Sequence, residues 1–234
     1  MREIDGGHGL VSWSAARSCR QLCNLQTDCM NVSRRTQGVS RRRQADRSAA
    51  TRAALIAAGR RLFAEHGFAA VGTEAIVAEA EVTRGALYHH YADKTALFDE
   101  VFQQVERDAA QRLAESAVGN GHDDAGTIMK RSLDAWFEAC DDPEVYRILL
   151  IDAPSVLGWA RFRELCLHHV LGLLESVLVL GMDAGTFTRQ PVRPLAHVLI
   201  AAADEAALYI VSADDKAAAK TEMRAVVVRL IDAL

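Results

Sequence analysis

Hydroxyl, guanidinium and ammonium groups that suit phosphates and bases lie between Thr73 and Lys94. Thr83 precedes a short helical segment, so its hydroxyl and the free N–H groups of that helix end suit a phosphate oxygen. The fork of Arg84 fits guanine O6 and N7, or a phosphate. Thr73 and Lys94 begin neighbouring segments and are placed to reach flanking phosphates. Such groups could bind a nucleic acid if the elements that carry them bring them to one face.

Patterns typical of catalysis or metal binding do not occur in the sequence. There is no nucleophile elbow, phosphate loop or spaced carboxylate pair, so an enzyme is not expected. The five cysteines, at 19, 23, 29, 140 and 166, form no C-x-x-C pair. His168 and His169 diverge by about 100° on a helix and cannot serve one ion together. We therefore expect neither a metal nor a cofactor.

Three short helices are predicted to position the candidate DNA contacts. Ala53–His66 carries an apolar stripe, the second helix begins at Thr73 and ends near Glu81, and the third covers Arg84–Tyr91. On the third helix Gly85 and Ala86 let the backbone approach a groove, Tyr88 and His89 face solvent, and Leu87 and Tyr91 face the core. Two short helices after a longer one indicate a helix-turn-helix.

The charge distribution supports a polyanionic partner for the N-terminal part only. The formal charge is −4 overall, but residues 30–94 carry +5 and residues 95–234 carry −9. Nine arginines lie between Ser33 and Arg61 against the single acid Asp46. Among them, Arg43 and Arg47 belong to a basic arm that could enter a minor groove or neutralise phosphates.

The stretch from Ala53 to Leu97, above all VTRGALYHHYADKTAL from Val82 to Leu97, resembles the DNA-binding domain of the TetR family of bacterial transcriptional regulators. The resemblance implies phosphate contacts for Lys94 and a backbone contact for the Tyr88 hydroxyl. Two positions depart from the family pattern. Tyr91 stands where Phe is more common, and Glu81 occupies a turn position usually held by Gly, where a positive φ costs roughly 1 kcal/mol.

The chain after Asp93 is predicted to be helical throughout, with helices at Lys94 to about Ala117 and at about 124–140, 143–152, 156–183, 191–213 and 215–232. Bulky apolar groups with a few polar tips could line an effector pocket or simply form a core. These candidates are Trp136, Phe137, Cys140, Tyr146, Leu149, Trp159, Phe162, Cys166 and His169. His197, Asp204 and Glu205 interrupt an apolar helix and need partners.

These observations predict an all-α protein that acts in transcription regulation, and the resemblance implies a ligand-responsive homodimer. Residues 1–45 are expected to be a disordered extension with a basic arm, and 46–95 to read a palindromic double-stranded operator. The resemblance implies that 96–234 bind a small-molecule effector and dimerise through 191–213 and 215–232. Release by the effector would make the protein a repressor. The alternatives are an architectural DNA-binding protein without an effector, and a helical small-molecule-binding protein or enzyme.

The N-terminal segment shows no secretory pattern, so a cytoplasmic protein is expected. Met30 opens the basic arm directly, which suggests it as the natural start, with 1–29 an extension. No membrane span is expected, because the apolar stretches Val170–Met182 and Leu195–Val211 are short of about 20 residues and contain charged side chains.

Overall fold

The computed structural model describes residues 44–117 and 123–234, of which 83% are helical, and no strand occurs in those ranges. An all-α fold was predicted. Internal contacts divide the chain into one unit ending at Ala50 and a second from Thr51 to Leu234. The described residues of the first unit, 44–50, are helical. Helical residues therefore occur before the first helix that the sequence predicted, Ala53–His66, in a segment rich in good helix formers.

In the second unit, α1 covers residues 51–66 and ends at Gly67, whose φ of 79° suits glycine. The helix-turn-helix comprises α2 (Thr73–Glu79) and α3 (Arg84–His90), both slightly shorter than predicted. The long α4 (Lys94–Ala117) has the predicted bounds. Phe63, Phe68 and Phe98 form a cluster with ring centroids 5.1–5.7 Å apart, and this cluster joins α1, the loop after it and α4.

The remaining helices make up the C-terminal half of the chain. They are α5 (Ala125–Ala139), α6 (Pro143–Val145), α7 (Ala153–Leu157), α8 (Trp159–Asp183), α9 (Val192–Ser212) and α10 (Lys216–Asp232). The helix α4 packs on α5 and α8, α9 packs on α8 and α10, and α10 also contacts α5. The predicted single helix over 156–183 is wrong, because Gly158, with a φ of 76°, separates α7 from α8.

The prediction of one regular helix over 143–152 is also wrong. After the three residues of α6, Tyr146–Asp152 form a π-helical segment. The N–H of Ala153 bonds to the carbonyl oxygen of Ile148, five residues earlier, and Pro154 has no N–H to continue a regular ladder. The proline thus accounts for the wider turn that precedes it.

Helix α9, Val192–Ser212, extends beyond the apolar stretch Leu195–Val211 at both ends. By length and composition alone, it is the one described continuous helix that could cross a bilayer, and 28% of its most apolar window is buried. Core helices pass the same test, so this is weak evidence for a span. Its apolar faces nevertheless need partners, which bears on how the chain assembles.

Candidate nucleic-acid interface

The turn between α2 and α3 has the strained geometry that the sequence predicted. Glu81 has a φ of 54°, and the N–H of Val82 bonds to the carbonyl oxygen of Val77 at 3.0 Å, closing α2. Few non-glycine residues adopt this conformation, and it costs roughly 1 kcal/mol. The turn is formed despite the glutamate because α2 and α3 bury Ile76 and Leu87 on the same core.

Helix α3 is capped and oriented as predicted for a reading helix. The Thr83 Oγ1 accepts a hydrogen bond from the Ala86 N–H at 3.2 Å. Leu87 and Tyr91 are buried, whereas Tyr88 is 44% exposed and His89 is exposed on the opposite side. A Cβ at Gly85 would meet only the Thr83 hydroxyl, at 3.9 Å, so the first turn of the helix has an open surface.

An acidic side chain lies among the predicted DNA contacts. Glu74, in the first turn of α2, has its Oε1 3.2 Å from Arg84 Nη1, and the Thr73 hydroxyl donates to Glu74 Oε2 at 3.3 Å. The guanidinium of Arg84 lies 5.5 Å from the centroid of the Tyr88 ring. Sequence reasoning had singled out the other three residues but not Glu74, because the pairing depends on how α2 meets α3.

The electrostatics of this cluster keep its charges in place. The pKa of Glu74 is lowered by a hydrogen bond from its own backbone N–H, then by the charge of Arg84 and the Thr73 hydroxyl. Hydrogen bonding with Thr73 and Arg84 lowers the pKa of Tyr88. Interactions with Tyr88 and Glu74 raise the pKa of Arg84. Glu74 is therefore a charged acceptor beside a charged donor on an exposed surface.

The Tyr91 hydroxyl, the departure from the family pattern, has a definite partner. It donates to Glu100 Oε2 at 2.7 Å, and Glu100 also accepts from Arg52 Nε at 3.0 Å. Burial and the neighbouring carboxylate raise the pKa of Tyr91. The trio joins α1, the end of α3 and α4, so the extra hydroxyl ties the C-terminal end of α3 to its neighbouring helices.

Lys94 holds the loop before α2. Its Nζ donates to the carbonyl oxygens of Phe68 and Val71 at 2.7 and 2.8 Å and lies 4.0 Å from the centroid of the Phe68 ring. The sequence had assigned this ammonium to a DNA phosphate. Two of its three N–H groups are engaged within the protein, which leaves one for any phosphate.

Three arginines of the basic run form ion pairs with acidic residues of the same chain. Arg52 pairs with Glu100, Arg61 with Glu79, and Arg60 with both Glu144 and Asp108. Hydrogen bonding to Glu144 is the main cause that raises the pKa of Arg60. The local excess of positive charge that is free to meet DNA is therefore smaller than the arginine count implied. Arg47 lies in the helical stretch 44–50, and Arg43 lies outside the described residues.

The π-helical segment contacts the loop before α2 from the other side. Asp152 Oδ2 accepts from the Phe68 N–H at 2.8 Å, and Arg147 Nη1 donates to the Glu65 carbonyl oxygen at 3.4 Å. The same part of the chain supplies Glu144, whose Oε1 lies 2.5 Å from Arg60 Nε. The end of α1 and the following loop thus rest on residues 144–152.

The candidate pocket residues do not all lie in one place. Phe137, Cys140, Leu149 and Phe162 are buried, and Trp136, Tyr146 and Cys166 are partly buried. Trp159 is 68% exposed, packed between Phe162 and Arg163 at the surface, so it does not share their interior. The side chain of His169 lies outside the described part of the chain.

Acidic groups lie in the same interior. Burial raises the pKa of Glu106, which is 5% exposed, to about 7, and that of Asp204 to about 6. Burial and the nearby Asp204 raise the pKa values of Cys140 and Cys166, which makes both thiols poor nucleophiles. Trp136 Nε1 donates to the Ala203 carbonyl oxygen at 3.3 Å, tying α5 to α9 beside Asp204.

Two family models match the chain and together cover about two thirds of it. Residues 55–101 match the model described as bacterial regulatory proteins, tetR family, and residues 127–234 match the tetracyclin repressor-like C-terminal domain. A TetR-family regulator from Pectobacterium atrosepticum has a similar structure, with 29% identity and a TM-score of 0.67 over 79% of this chain and 94% of that one. The chain belongs to the TetR family of bacterial regulatory proteins.

Curated relatives match over shorter stretches. The TetC protein of transposon Tn10 from Escherichia coli is 26% identical over 125 residues, which are 53% of this chain and 61% of that protein. The transcriptional repressor AcnR from Corynebacterium efficiens is 32% identical over 76 residues, or 32% of this chain and 38% of AcnR. The chain thus spans less than two thirds of either relative.

Proposed function

We propose that this chain is a homodimeric, sequence-specific DNA-binding regulator of transcription. The observation that carries the proposal is the exposed polar face of the helix-turn-helix. There, Thr73, Thr83, Arg84 and Tyr88 occur on α2, α3 and the turn between them, above the buried Leu87 and Tyr91. Residues about 46–95 would read the major groove, with Gly85, Ala86 and His89 on the approaching face and Lys94 flanking it.

The dimer is proposed to form through α9 and α10. Each helix carries exposed large apolar side chains, Val198 and Tyr209 on α9 and Val226 and Leu230 on α10. Exposed apolar groups on two adjacent helices are typical of subunit interfaces. A two-fold axis would place two reading helices in successive major grooves, about 34 Å apart, and would require a palindromic operator.

The region 96–234 is proposed to bind a small-molecule effector that releases the operator, which makes the protein a repressor. Family members bind DNA operators and small ligands and form dimers. Contacts of residues 144–152 with the end of α1 and with the loop before α2 offer a route from this region to the proposed DNA-reading helices. An effector that favours a conformation with the wrong spacing of the reading helices would lower operator affinity by its differential binding energy.

Retention of fragmented genomic DNA by the purified protein, followed by sequencing, tests the DNA-binding proposal. We expect a few palindromic sites to be enriched, and their neighbouring genes would indicate the chemistry of the effector. Retention without sequence preference would instead support the architectural alternative. No retention would support the helical binding protein or enzyme.

Sedimentation of wild-type protein and a Leu230→Arg variant tests the proposed interface. We expect a dimer for the wild type and a monomer for the variant, because a charge on the apolar face opposes its burial. Thr221→Arg, at an exposed position about 140° from Val226 and about 180° from Leu230 around α10, serves as the control. A dimer that survives Leu230→Arg would place the interface elsewhere.

A further inference from the structure

The ion pair of Glu74 and Arg84 lies on the DNA-facing side of the proposed reading unit. Both side chains come from the first turn of their helices, and they are 71% and 64% exposed. Three other residues of this face that the sequence identified, Thr73, Thr83 and Tyr88, carry hydroxyls. The negative charge of Glu74 on this face opposes phosphate binding, so general affinity for DNA does not explain why a carboxylate lies there.

The pair presents donors and an acceptor side by side. Arg84 offers the forked N–H groups, and Glu74 offers a carboxylate oxygen 3.2 Å from Nη1. Contacts with the Thr73 hydroxyl and the Tyr88 ring hold the two groups at the junction of α2 and α3. The pair is therefore already formed in the protein without nucleic acid.

The major-groove edge of a G·C base pair is complementary to this arrangement. Guanine presents two acceptors, N7 and O6, and the paired cytosine presents the N4 amino donor next to O6. An A·T pair presents an acceptor, a donor and an acceptor in that order, which places the adenine amino group against the arginine fork. The carboxylate alone would accept from the amino group of either cytosine or adenine. The neighbouring guanidinium favours the G·C pair, because its donors match the two guanine acceptors.

We propose that Glu74 is a specificity-determining residue that, together with Arg84, selects one G·C base pair in each half of the operator. Arg84 donates to guanine O6 and N7, and Glu74 accepts from N4 of the paired cytosine. The inference rests on the proposed function as a DNA-binding regulator. It also implies that Glu74 lowers affinity for DNA without the site, because its charge repels phosphates.

A selection from duplexes with a random central sequence tests the inference with wild type, Glu74→Gln, Arg84→Ala and the double variant. Glu79→Gln is the matched control, since Glu79 lies in the same helix but pairs with Arg61 of α1. We expect wild type and Glu79→Gln to enrich the same sites. In Glu74→Gln the preference for one G·C pair should fall about tenfold, the range of a single base contact, with other positions unchanged.

Two further readouts are expected to agree. Arg84→Ala should lose preference at the same base pair, and adding Glu74→Gln should cost little more, because the two side chains read one pair together. Binding of a duplex without the selected site should strengthen in Glu74→Gln. Thermal unfolding of each variant checks that the fold is intact.

The possible failures are distinguishable. If Glu74→Gln enriches the same sites as wild type, or loses affinity for all duplexes alike, Glu74 only stabilises the start of α2 and the inference is wrong. If wild type enriches sites in which this position is not G·C, the inference is also wrong while the proposed function stands. If wild type enriches no sequence at all, the proposed function fails and the inference with it.

Discussion

Replacing Lys94 with methionine separates a structural role of its ammonium group from a DNA contact. Methionine keeps the apolar stem but removes the donors to the Phe68 and Val71 carbonyl oxygens. Each hydrogen bond from a charged donor contributes about 1.5–3 kcal/mol, and the contact with the Phe68 ring adds roughly 0.5–1 kcal/mol. Because Lys94 is only partly buried, we take the lower ends for both hydrogen bonds and the ring contact and expect a loss of about 3.5 kcal/mol.

Urea unfolding of wild type and Lys94→Met measures this loss directly. Lys216→Met, at an exposed position of α10, is the matched control and should change the free energy of unfolding by less than about 0.5 kcal/mol. Operator binding by Lys94→Met should weaken because the loop before α2 is released. An unchanged unfolding free energy, with the salt dependence of binding reduced by about one ion per contact, would show that the ammonium binds phosphate instead.

Three further changes test other parts of the fold. Burial raises the pKa of Glu106 to about 7, so the folded state loses about 3 kcal/mol of stability as the pH rises from about 4.5 to 7 and the carboxyl group ionises. Glu106→Gln should therefore be more stable than wild type by up to that amount at about pH 8 and equally stable near pH 4. A stability difference that does not depend on pH would contradict this explanation. Tyr91→Phe should cost about 1 kcal/mol in urea unfolding through loss of the bond to Glu100, whereas Tyr88→Phe, at an exposed hydroxyl, should cost less. Glu81→Gly should raise the free energy of unfolding, measured by thermal unfolding, by about 0.5–1 kcal/mol because glycine adopts the positive φ without strain. Ala78→Gly, inside α2, is the control and should lower the free energy of unfolding. A loss of stability in both variants would show that Glu81 is not strained.

The helix-turn-helix could be predicted because its determinants are local in sequence. The cap at Thr83 and the cap at Asp93, which accepts from the Ala96 N–H at 2.8 Å, lie within three residues of the groups they satisfy. The buried face of α3 follows from spacing alone, since Leu87 and Tyr91 are four residues apart. The same reasoning gave the bounds of α4, whereas the strain at Glu81 was expected from the family resemblance, which places Gly at that turn position.

The partners of the charged groups could not be predicted in this way. Arg52 and Glu100 are 48 residues apart, and Arg60 and Glu144 are 84 apart, so their pairing appears only once the helices are packed. Composition counted both arginines as free positive charge. The π-helical turn could not be predicted for a related reason. Periodicity shows which residues are apolar, but it does not show the backbone hydrogen-bond pattern that Pro154 interrupts.

The candidate pocket shows a different limit of sequence patterns. An apolar, aromatic-rich stretch predicts burial, and Phe137, Phe162 and Leu149 are indeed buried. Burial does not distinguish a side chain that lines a ligand site from one that fills a core, and the exposed Trp159 shows that aromatic character does not even ensure burial. These residues therefore stay a prediction until an effector is found.

The loop of residues 67–72 is held from two sides, and this has a consequence for regulation. Lys94 binds its carbonyl oxygens from the start of α4, while Asp152 binds the Phe68 N–H from the π-helical segment. Energetic coupling between two sites requires an element whose arrangement both sites bias. The loop leads directly into Thr73 and Glu74 and is anchored on residues 144–152, so we expect it to be such an element. An effector that shifts the π-helical segment is expected to move the loop and, through it, the start of α2.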